Sequence, residues 1–309
     1  MKRIYRWLRH QLRPLRKRYE LFLGQYYPKR LISLRYKDAY GKAIDWNCPK
    51  SIDEKINWLR FNTDTSQWSL LSDKYRVRQY VSDLGQGDLL VPLYGKWDGA
   101  EDIDWEALPR QFVIKTNNAS KTVLICEDKN KIDIRDWTRQ IDEWMHADYS
   151  IEKGETHYHS IPPCIIAEQL LDVTKQSVPS SSLIDYKVWA FDGKPAYIWC
   201  CLNRTSDSVE VITYDTEWNA HPEFSEDYYH FIPTDKRIPR PATLDKMLDA
   251  ASRLSKGFPQ VRVDFYEVDG KLYFGEMTFT SSSGINGFYT EEFRLQLGQL
   301  TKLPTDKLE

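Results

Sequence analysis

Arg262, Asp264, Glu276 and Thr278 stand in strands of a β-hairpin that is otherwise mainly apolar. The run Val261-Arg262-Val263-Asp264-Phe265-Tyr266-Glu267-Val268-Asp269-Gly270-Lys271-Leu272-Tyr273-Phe274-Gly275-Glu276-Met277-Thr278-Phe279 reads as two strands around Asp269-Gly270. Side chains alternate along a strand, so Arg262 and Asp264 share one face of the first strand, and Glu276 and Thr278 share one face of the second. Register decides whether those faces coincide. A two-residue Asp269-Gly270 turn sets Asp264 opposite Gly275 and turns Glu276 away. A three-residue turn that includes Lys271 sets Asp264 opposite Glu276. The three-residue turn is expected, and with it Asp264, Glu276 and Thr278 offer oxygens together. Hard oxygens on one face suit Mg²⁺, which takes one or two carboxylates and fills its shell with phosphates and water. Arg262 beside them can stabilise a developing oxyanion. An exposed hairpin face closed by an Arg–carboxylate pair would use the same residues.

Other segments could complete a nucleotide site. Lys115 ends the apolar run Phe112-Val113-Ile114, and a lysine buried there needs an anion. The polar tip Asn117-Asn118-Ala119-Ser120-Lys121 follows, able to close over phosphates through backbone N–H groups or to be an ordinary surface hairpin. Glu168 closes Ile165-Ile166-Ala167 and leads into Gln169-Leu170-Leu171, where backbone groups and an apolar wall suit a purine base. Asp185 and Lys187 share a strand face, in reach of a ribose and a phosphate. Lys74, in Ser72-Asp73-Lys74-Tyr75, opens a helix.

The elements that must position these groups are mixed. Ser51 with Glu54 three residues on marks a helix start; a second helix is expected over 73–84 with Asp73 as cap. Leu89–Tyr94 reads as a short strand, and 104–109 as a turn. Gln111–Lys115 and Thr122–Cys126 form a hairpin. A helix covers 133–147, followed by a polar, irregular stretch at 150–162. Ile165–Leu171 is a buried strand, 172–182 a Ser-rich loop, and Lys187–Phe191 with Ala196–Cys201 a hairpin. A helix at 243–256 precedes the final hairpin. Antiparallel hairpins interleaved with helices indicate an α+β class rather than a doubly wound parallel sheet.

Taken in order, these phrases resemble the ATP-grasp superfamily: Asp-Lys opening a helix, a strand ending in Lys with a hairpin, a hinge strand with Glu, an Asp-x-Lys strand, and a final Arg-x-Asp…Glu-x-Thr hairpin. Within it the chain is most similar to the TupA-like ATP-grasp family, associated with teichuronopeptide and other surface-polysaccharide gene sets. Pro49-Lys50…Glu54-Lys55-Ile56-Asn57-Trp58, Leu108-Pro109-x-x-Phe112-Val113-Ile114-Lys115, Asp185-Tyr186-Lys187 and the run from Arg262 to Phe279 carry the likeness. The resemblance implies two α+β subdomains clasping ATP, with a basic helical segment at 1–44, an N-terminal subdomain at 45–110, a small subdomain with a flexible hairpin at 111–172, and a C-terminal subdomain with the Mg²⁺ hairpin at 173–309. It further implies that Lys74 and Lys115 hold phosphates with help from Lys187, Asn117, Ser120 and Lys121. Glu168, Gln169, Leu170 and Leu171 would border adenine, and Asp185 would hold the ribose. Asp264, Glu276 and Thr278 would organise Mg²⁺, with Arg262 and Lys115 as catalytic groups. The implied reaction joins a carboxylate to an amine through an acyl phosphate, in surface-glycan assembly. Two departures stand out. The family's tip usually reads Asn-His-Gly-Ser-Gly, whereas this one has no glycine to let backbone approach phosphate and offers Lys121 instead. Many ATP-grasp enzymes also carry Asn where Thr278 stands. A non-catalytic ATP-binding relative and a glycosyltransferase of the same gene sets are the competing readings; Asp102-Ile103-Asp104 resembles the acid pair of metal-dependent glycosyltransferases, but such a tripeptide is common by chance and falls in a turn.

Charge is unevenly spread. Residues 1–37 hold 12 Lys/Arg against the single acid Glu20, so a head of +11 precedes a body of −13. Apolar residues at Ile4, Leu8, Leu12, Leu15, Tyr19 and Phe22 fall at helical spacing among those cations, a pattern suited to lying on anionic lipid with Trp7 and Leu8 entering the interface, or to a solvated helix packed on its own domain. Pro14 should kink or divide that helix. The acidic body argues against nucleic acid. Five Cys without a regular framework suit reduced thiols. No run is long enough to span a bilayer. The expected location is the cytoplasm, at the inner face of the membrane if the head binds lipid, with a small-molecule or lipid-linked glycan as substrate. His157-Tyr158-His159 lacks a third metal ligand and reads as a polar loop.

Overall fold

The computed structural model describes residues 2–304, with side chains from Pro14 onward. Helix α1 (Lys2–Tyr26) continues through Pro14, so the proline does not divide it. Proline removes a single donor, and on this exposed helix the flanking bonds carry the chain past it. The side chains of Trp7 and Leu8 lie outside the described residues. Helix α2 (Pro28–Tyr40) starts on Pro28 and ends where Gly41 turns left-handed at φ +69°. Helix α3 (Ile52–Asn62) carries the expected capping box: Ser51 Oγ accepts from Glu54 N, and the Glu54 carboxylate accepts from Ser51 N at 3.1 Å.

The helix expected over 73–84 is shorter, α5 (Val77–Asp83); an unanticipated helix, α4 (Ser66–Ser72), precedes it, and a turn over 73–76 joins the two. Asp73 Oδ1 accepts from the N–H groups of Tyr75 and Arg76 at 2.8 and 3.1 Å. The cap is therefore where the sequence put it, but it closes a turn, and Lys74 sits in that turn.

Four antiparallel strands form the smaller sheet: β1 (Leu93–Trp97), β2 (Phe112–Thr116), β3 (Val123–Cys126) and β4 (Ile165–Glu168), in the order β1-β4-β2-β3. The first strand begins later than expected because Gly87–Leu89 winds into a 3₁₀ turn. β1 comes from the segment expected to precede this unit, yet it pairs with β4. Helix α6 (Ile134–His146), capped by Asp133, contributes Ile141 to a core with Phe112, Ile114, Ile165 and Ala167, and Trp137 and Trp144 pack on it. Residues 150–162 are more ordered than their polarity suggests. Helix α7 (Tyr149–Lys153) is capped by Asp148 and stopped by Gly154 at φ +71°, and a 3₁₀ turn spans Thr156–Ser160.

The larger sheet has β5 (Asp185–Phe191), β6 (Lys194–Leu202), β7 (Val209–Asp215), β8 (Phe231–Pro233), β9 (Val261–Val268) and β10 (Lys271–Thr278), in the order β10-β9-β5-β6-β7-β8. Only the β7–β8 pair is parallel. Helix α8 (Leu244–Leu254) shares an apolar core with one face through Leu244, Met247, Ala250, Ala251 and Leu254, against Val188, Ile198 and Val263. On the other side Trp189, Trp199, Phe288 and Tyr289 form a second core with Phe293 and Leu297 of α9 (Glu291–Leu300). The mixed two-sheet architecture is α+β, as expected.

The last hairpin corrects the register argument while keeping its outcome. The turn has two residues: Lys271 pairs with Val268, and Asp269 and Gly270 take φ +55° and +67°. Positive φ at both central positions is the primed turn that Asp-Gly favours. Left uncorrected, that register would place Asp264 opposite Gly275. A bulge between Phe274 and Glu276 absorbs one residue, and Glu276 pairs with Asp264. A Cβ on Gly275 would lie 3.0 Å from the Asp264 carbonyl oxygen and 3.2 Å from the Tyr266 ring, so the residue in the bulge must be small.

Candidate active site

The bulged hairpin gathers a buried charge network. Arg262 donates from Nε to Asp264 Oδ1 at 2.8 Å and from Nη2 to Oδ2 at 2.9 Å. Its Nη2 also reaches Thr278 Oγ1 at 3.2 Å and lies 3.8 Å from Glu276 Oε1, and Thr278 Oγ1 is 3.2 Å from that same oxygen. The guanidinium therefore touches all three expected metal-type ligands, which is possible only if they share a face. Lys187, on the neighbouring β5, places Nζ 2.5 Å from Asp264 Oδ2 and 3.4 Å from Asp185 Oδ1. Burial alone would raise the Asp264 carboxyl, but Arg262 and Lys187 together hold it below the usual carboxylate range. Burial opposes charge on Lys187 as well, and Asp185 and Asp264 outweigh it and push the ammonium up. Asp264 is almost wholly buried, whereas the Glu276 side chain is 40% exposed.

The expected phosphate and base residues lie on the smaller sheet. Glu168 is clamped by two cations, Lys115 Nζ at 2.6 Å and Arg78 Nη1 at 2.9 Å. The anion that Lys115 needs is thus present in the protein. Gln169 N donates to Pro92 O at 2.9 Å, tying the segment after β4 to the start of β1. Leu171 sits in a small apolar cluster with Val91 and Val268, against which Tyr266 and Tyr273 pack. Lys74 Nζ donates to Ala119 O at 2.5 Å, in the tip of the β2–β3 hairpin. Burial lowers the Lys74 ammonium; Glu276 and Glu168 oppose that shift and Lys115 adds to it. Lys74 therefore lies within electrostatic reach of both sheets' acids.

The tip itself divides. Asn117 is committed to structure: its Nδ2 donates to Pro162 O at 3.0 Å and its Oδ1 accepts from Cys164 N at 2.7 Å. Ser120 and Lys121 are exposed and line, together with Lys187, Arg262, Glu276 and Thr278, a cleft of about 890 Å³. Lys121 adopts φ +66°, a conformation usually left to glycine. Asp185 accepts from Arg204 Nη2 at 3.0 Å, a partner that sequence reasoning missed.

It also missed the opposite wall of the cleft. Glu155 is buried there, accepting from Thr280 Oγ1 and from Ser283 Oγ at 3.2 Å. Burial raises this carboxyl, Arg60 and the hydroxyls only partly offsetting it. Ser282 and Ser283 carry φ +48° and +57° and Gly284 +79°, three consecutive left-handed residues lining the cleft or adjoining it, held below by Asn286 on the buried Asp53 (2.6 Å). Tyr149 of α7 hydrogen-bonds Ser120 of the tip at 2.6 Å. The Asp148 cap and Gly154 stop were the available signals for this wall.

Among the described residues no group of three or more His, Cys, Asp or Glu is placed to hold a metal ion. Asp264, Glu276 and Thr278 nonetheless fit a hard divalent cation of the kind that leaves most of its shell to phosphate and water. The three oxygens converge, one carboxylate opens to the cleft, and the other already holds an ammonium. All five cysteines are free, and no described helix is long and apolar enough to cross a membrane.

Two sheets, with a basic hairpin tip and Glu276 lining one cleft and Asp264 buried behind Glu276, are the arrangement of an ATP-grasp protein. The chain belongs to the TupA-like ATPgrasp family, whose model matches residues 54–302. Among curated proteins no sequence matches it significantly. Among solved structures it is similar to D-alanine–D-alanine ligase from Bacillus anthracis (17% identity, TM-score 0.42, 71% of this chain and 59% of that one), an enzyme also solved with ATP. It is similar too to L-amino acid ligase from Bacillus licheniformis (13%, 0.43, 75% and 49%) and to D-alanine–D-alanine ligase from Helicobacter pylori (14%, 0.44, 83% and 68%). The chain thus spans about half to two thirds of the length of these ligases.

Proposed function

We propose that the protein is an ATP-dependent ligase that joins a carboxylate to an amine through an acyl phosphate, in the assembly of a cell-surface polysaccharide, with an amino acid coupled to a uronic acid on a small-molecule or lipid-linked glycan. The observation that carries the reading is the pairing of Asp264 with Glu276 under one guanidinium. In this reading ATP enters with its base against Glu168, Gln169, Leu170 and Leu171 and its ribose at Asp185. Lys74, Lys115 and the tip residues Ser120 and Lys121 take its phosphates, and Asn117 serves by holding the base of the tip rather than by touching ATP. Asp264, Glu276 and Thr278 would hold Mg²⁺, which neutralises phosphate charge when bound.

The chemistry asks little of the protein beyond position and charge. A substrate carboxylate oxygen attacks the γ-phosphorus and ADP leaves. The amine then attacks the acyl carbon, phosphate leaves with the C–O electron pair, and the amine loses its proton. Arg262, buried beside the carboxylate pair, would stabilise negative charge on the acyl oxygen, a contact whose loss costs on the order of 10²–10³ in rate.

A phosphate-release screen over amino acids paired with uronates, with ATP and Mg²⁺, tests the reading. Release that needs both partners supports it. Stabilisation by ATP·Mg with no release from any pair favours the second reading, a non-catalytic ATP-binding relative, for which the glycine-free tip is the specific observation. Stabilisation by UDP-sugars and indifference to ATP would point to a glycosyltransferase and end the proposal.

A further inference from the structure

From Leu15 to Tyr26 the outward face of α1 is exposed among the described residues. Leu15, Tyr19, Phe22 and Tyr26 are 61%, 55%, 49% and 59% exposed, and steps of four, three and four residues put them in one stripe along the helix. The opposite side of α1 is where the domain begins. Leu23 is buried, and a Cβ on Gly24 would lie 2.0 Å from Ile151 O of α7. Tyr27, at the start of α2, continues the exposed surface at 47%. Four large apolar side chains in a row are an unusual thing to leave in water, and such a patch marks an interaction surface.

Charge identifies the occupant. The stripe lies in the segment that carries +11 within its first 37 residues. Glu20, the single acid there, is already taken by Arg16 at 2.7 Å and Arg35 at 2.9 Å, so it screens little of the rest. A second copy of this chain would bring two such segments face to face, and like charges repel. An apolar stripe with Tyr and Phe, bordered by Arg18 on α1 and by Arg30, which stacks over Tyr27 at 5.5 Å, matches a bilayer surface with anionic headgroups: rings and Leu enter the interface while the cations meet phosphate.

The cleft gives this surface a purpose. Its lining runs from Arg262, Glu276 and Thr278 to Arg16 and Glu20 of α1 and Arg35 and Asp38 of α2. We propose that α1 docks on an anionic membrane through Leu15, Tyr19, Phe22 and Tyr26, and that docking brings the cleft to the headgroup layer, where a membrane-tethered acceptor enters it. The docking stands by itself; the acceptor rests on the ligase reading above.

Flotation of the full chain with vesicles of phosphatidylcholine, and of phosphatidylcholine mixed with phosphatidylglycerol, tests the docking. The protein should float with the anionic vesicles alone and less so as salt rises. Replacing the stripe by serine (Leu15→Ser, Tyr19→Ser, Phe22→Ser, Tyr26→Ser) should weaken partitioning at least about tenfold, and Arg18→Glu with Arg30→Glu should do so by a similar factor. These side chains are half-exposed or more, so an unchanged unfolding temperature is expected and checks the fold. The docking is overturned if anionic vesicles do not float the protein, or if the serine variant floats as well as the parent. It is equally overturned if sedimentation shows a stripe-dependent dimer, or an oligonucleotide is bound through the stripe, while vesicles are ignored. Flotation without ATP-dependent phosphate release would refute the ligase reading and leave docking intact; release without flotation would do the reverse.

Discussion

Asp264→Asn and Glu276→Gln remove one carboxylate each from the same hairpin face, yet they should behave differently before any nucleotide is added. Asp264 is 1% exposed and bonded to Arg262 and Lys187, themselves 8% and 10% exposed. Removing its charge leaves Arg262 with Glu276 at 3.8 Å and Lys187 with Asp185 at 3.4 Å. Breaking a buried pair from one side typically costs about 3–5 kcal/mol. Glu276 is 40% exposed, and losing an exposed partner costs about 1 kcal/mol or less. For a chain of this size each kcal/mol moves Tm by roughly 2 °C. Without nucleotide, Asp264→Asn should therefore melt roughly 6–10 °C below the parent and Glu276→Gln within roughly 2 °C of it. ATP·Mg at a hundred times Kd should stabilise the parent by about 2.7 kcal/mol, or roughly 5 °C. Glu276→Gln should lose most of that gain despite its intact fold. Differential scanning fluorimetry with and without ATP·Mg reads both quantities. A Glu276→Gln protein that keeps the full nucleotide shift would refute the ion-binding face. An Asp264→Asn protein as stable as Glu276→Gln would refute the buried network.

Three further outcomes are expected. Gly275→Ala should destabilise the hairpin by about 1–3 kcal/mol and abolish the ATP·Mg shift, because the bulge that sets Asp264 opposite Glu276 has no room for a Cβ; urea unfolding checks the first and fluorimetry the second. His157 is buried with both ring nitrogens unpartnered, and burial, with Arg60 nearby, lowers it to about 3. The unfolded chain takes up that proton near the ordinary value of about 6.5, so stability falls as pH drops from there towards the folded value. The loss attributable to His157 at pH 5 is about 2 kcal/mol, and urea midpoints at pH 7.5 and 5 should show His157→Phe free of that share. Lys121→Gly should raise stability by up to about 1 kcal/mol by relieving its left-handed backbone while weakening ATP binding through loss of a cleft charge; calorimetric titration that shows tighter ATP binding would remove Lys121 from the phosphate site.

The legible parts of this fold are those in which local chemistry had one outcome. Ser51 and Glu54 specify their cap wherever the helix lies, and alternation fixed which residues of β9 and β10 share a face. The register of that hairpin was reached for the wrong reason. Asp269-Gly270 prefers its tight turn, and the compensating residue is a glycine six positions from the turn's first residue, whose need appears only when the Asp264 carbonyl and the Tyr266 ring are in place. The wall around Glu155 was illegible because its anchors are distant: Thr280 and Ser283 come from the loop after β10, and Arg60 from α3. Polarity at 150–162 signalled solvent, whereas Glu155 is buried there and bonded by Thr280 and Ser283 from the loop after β10. Glu168 was legible as an acid ending a strand, but its clamping by Arg78 depends on a helix from an earlier segment.

Helix α7 is only five residues long, yet it is held from two sides. Tyr149 at its start bonds the hairpin tip through Ser120. Its far turn receives α1 through Gly24 at Ile151, and Arg35 caps the carbonyls of Glu152 and Lys153 at 2.9 and 3.3 Å. The hairpin tip and α1 therefore rest on the same five-residue helix, so a displacement of α1 against the body would have one short route to the tip.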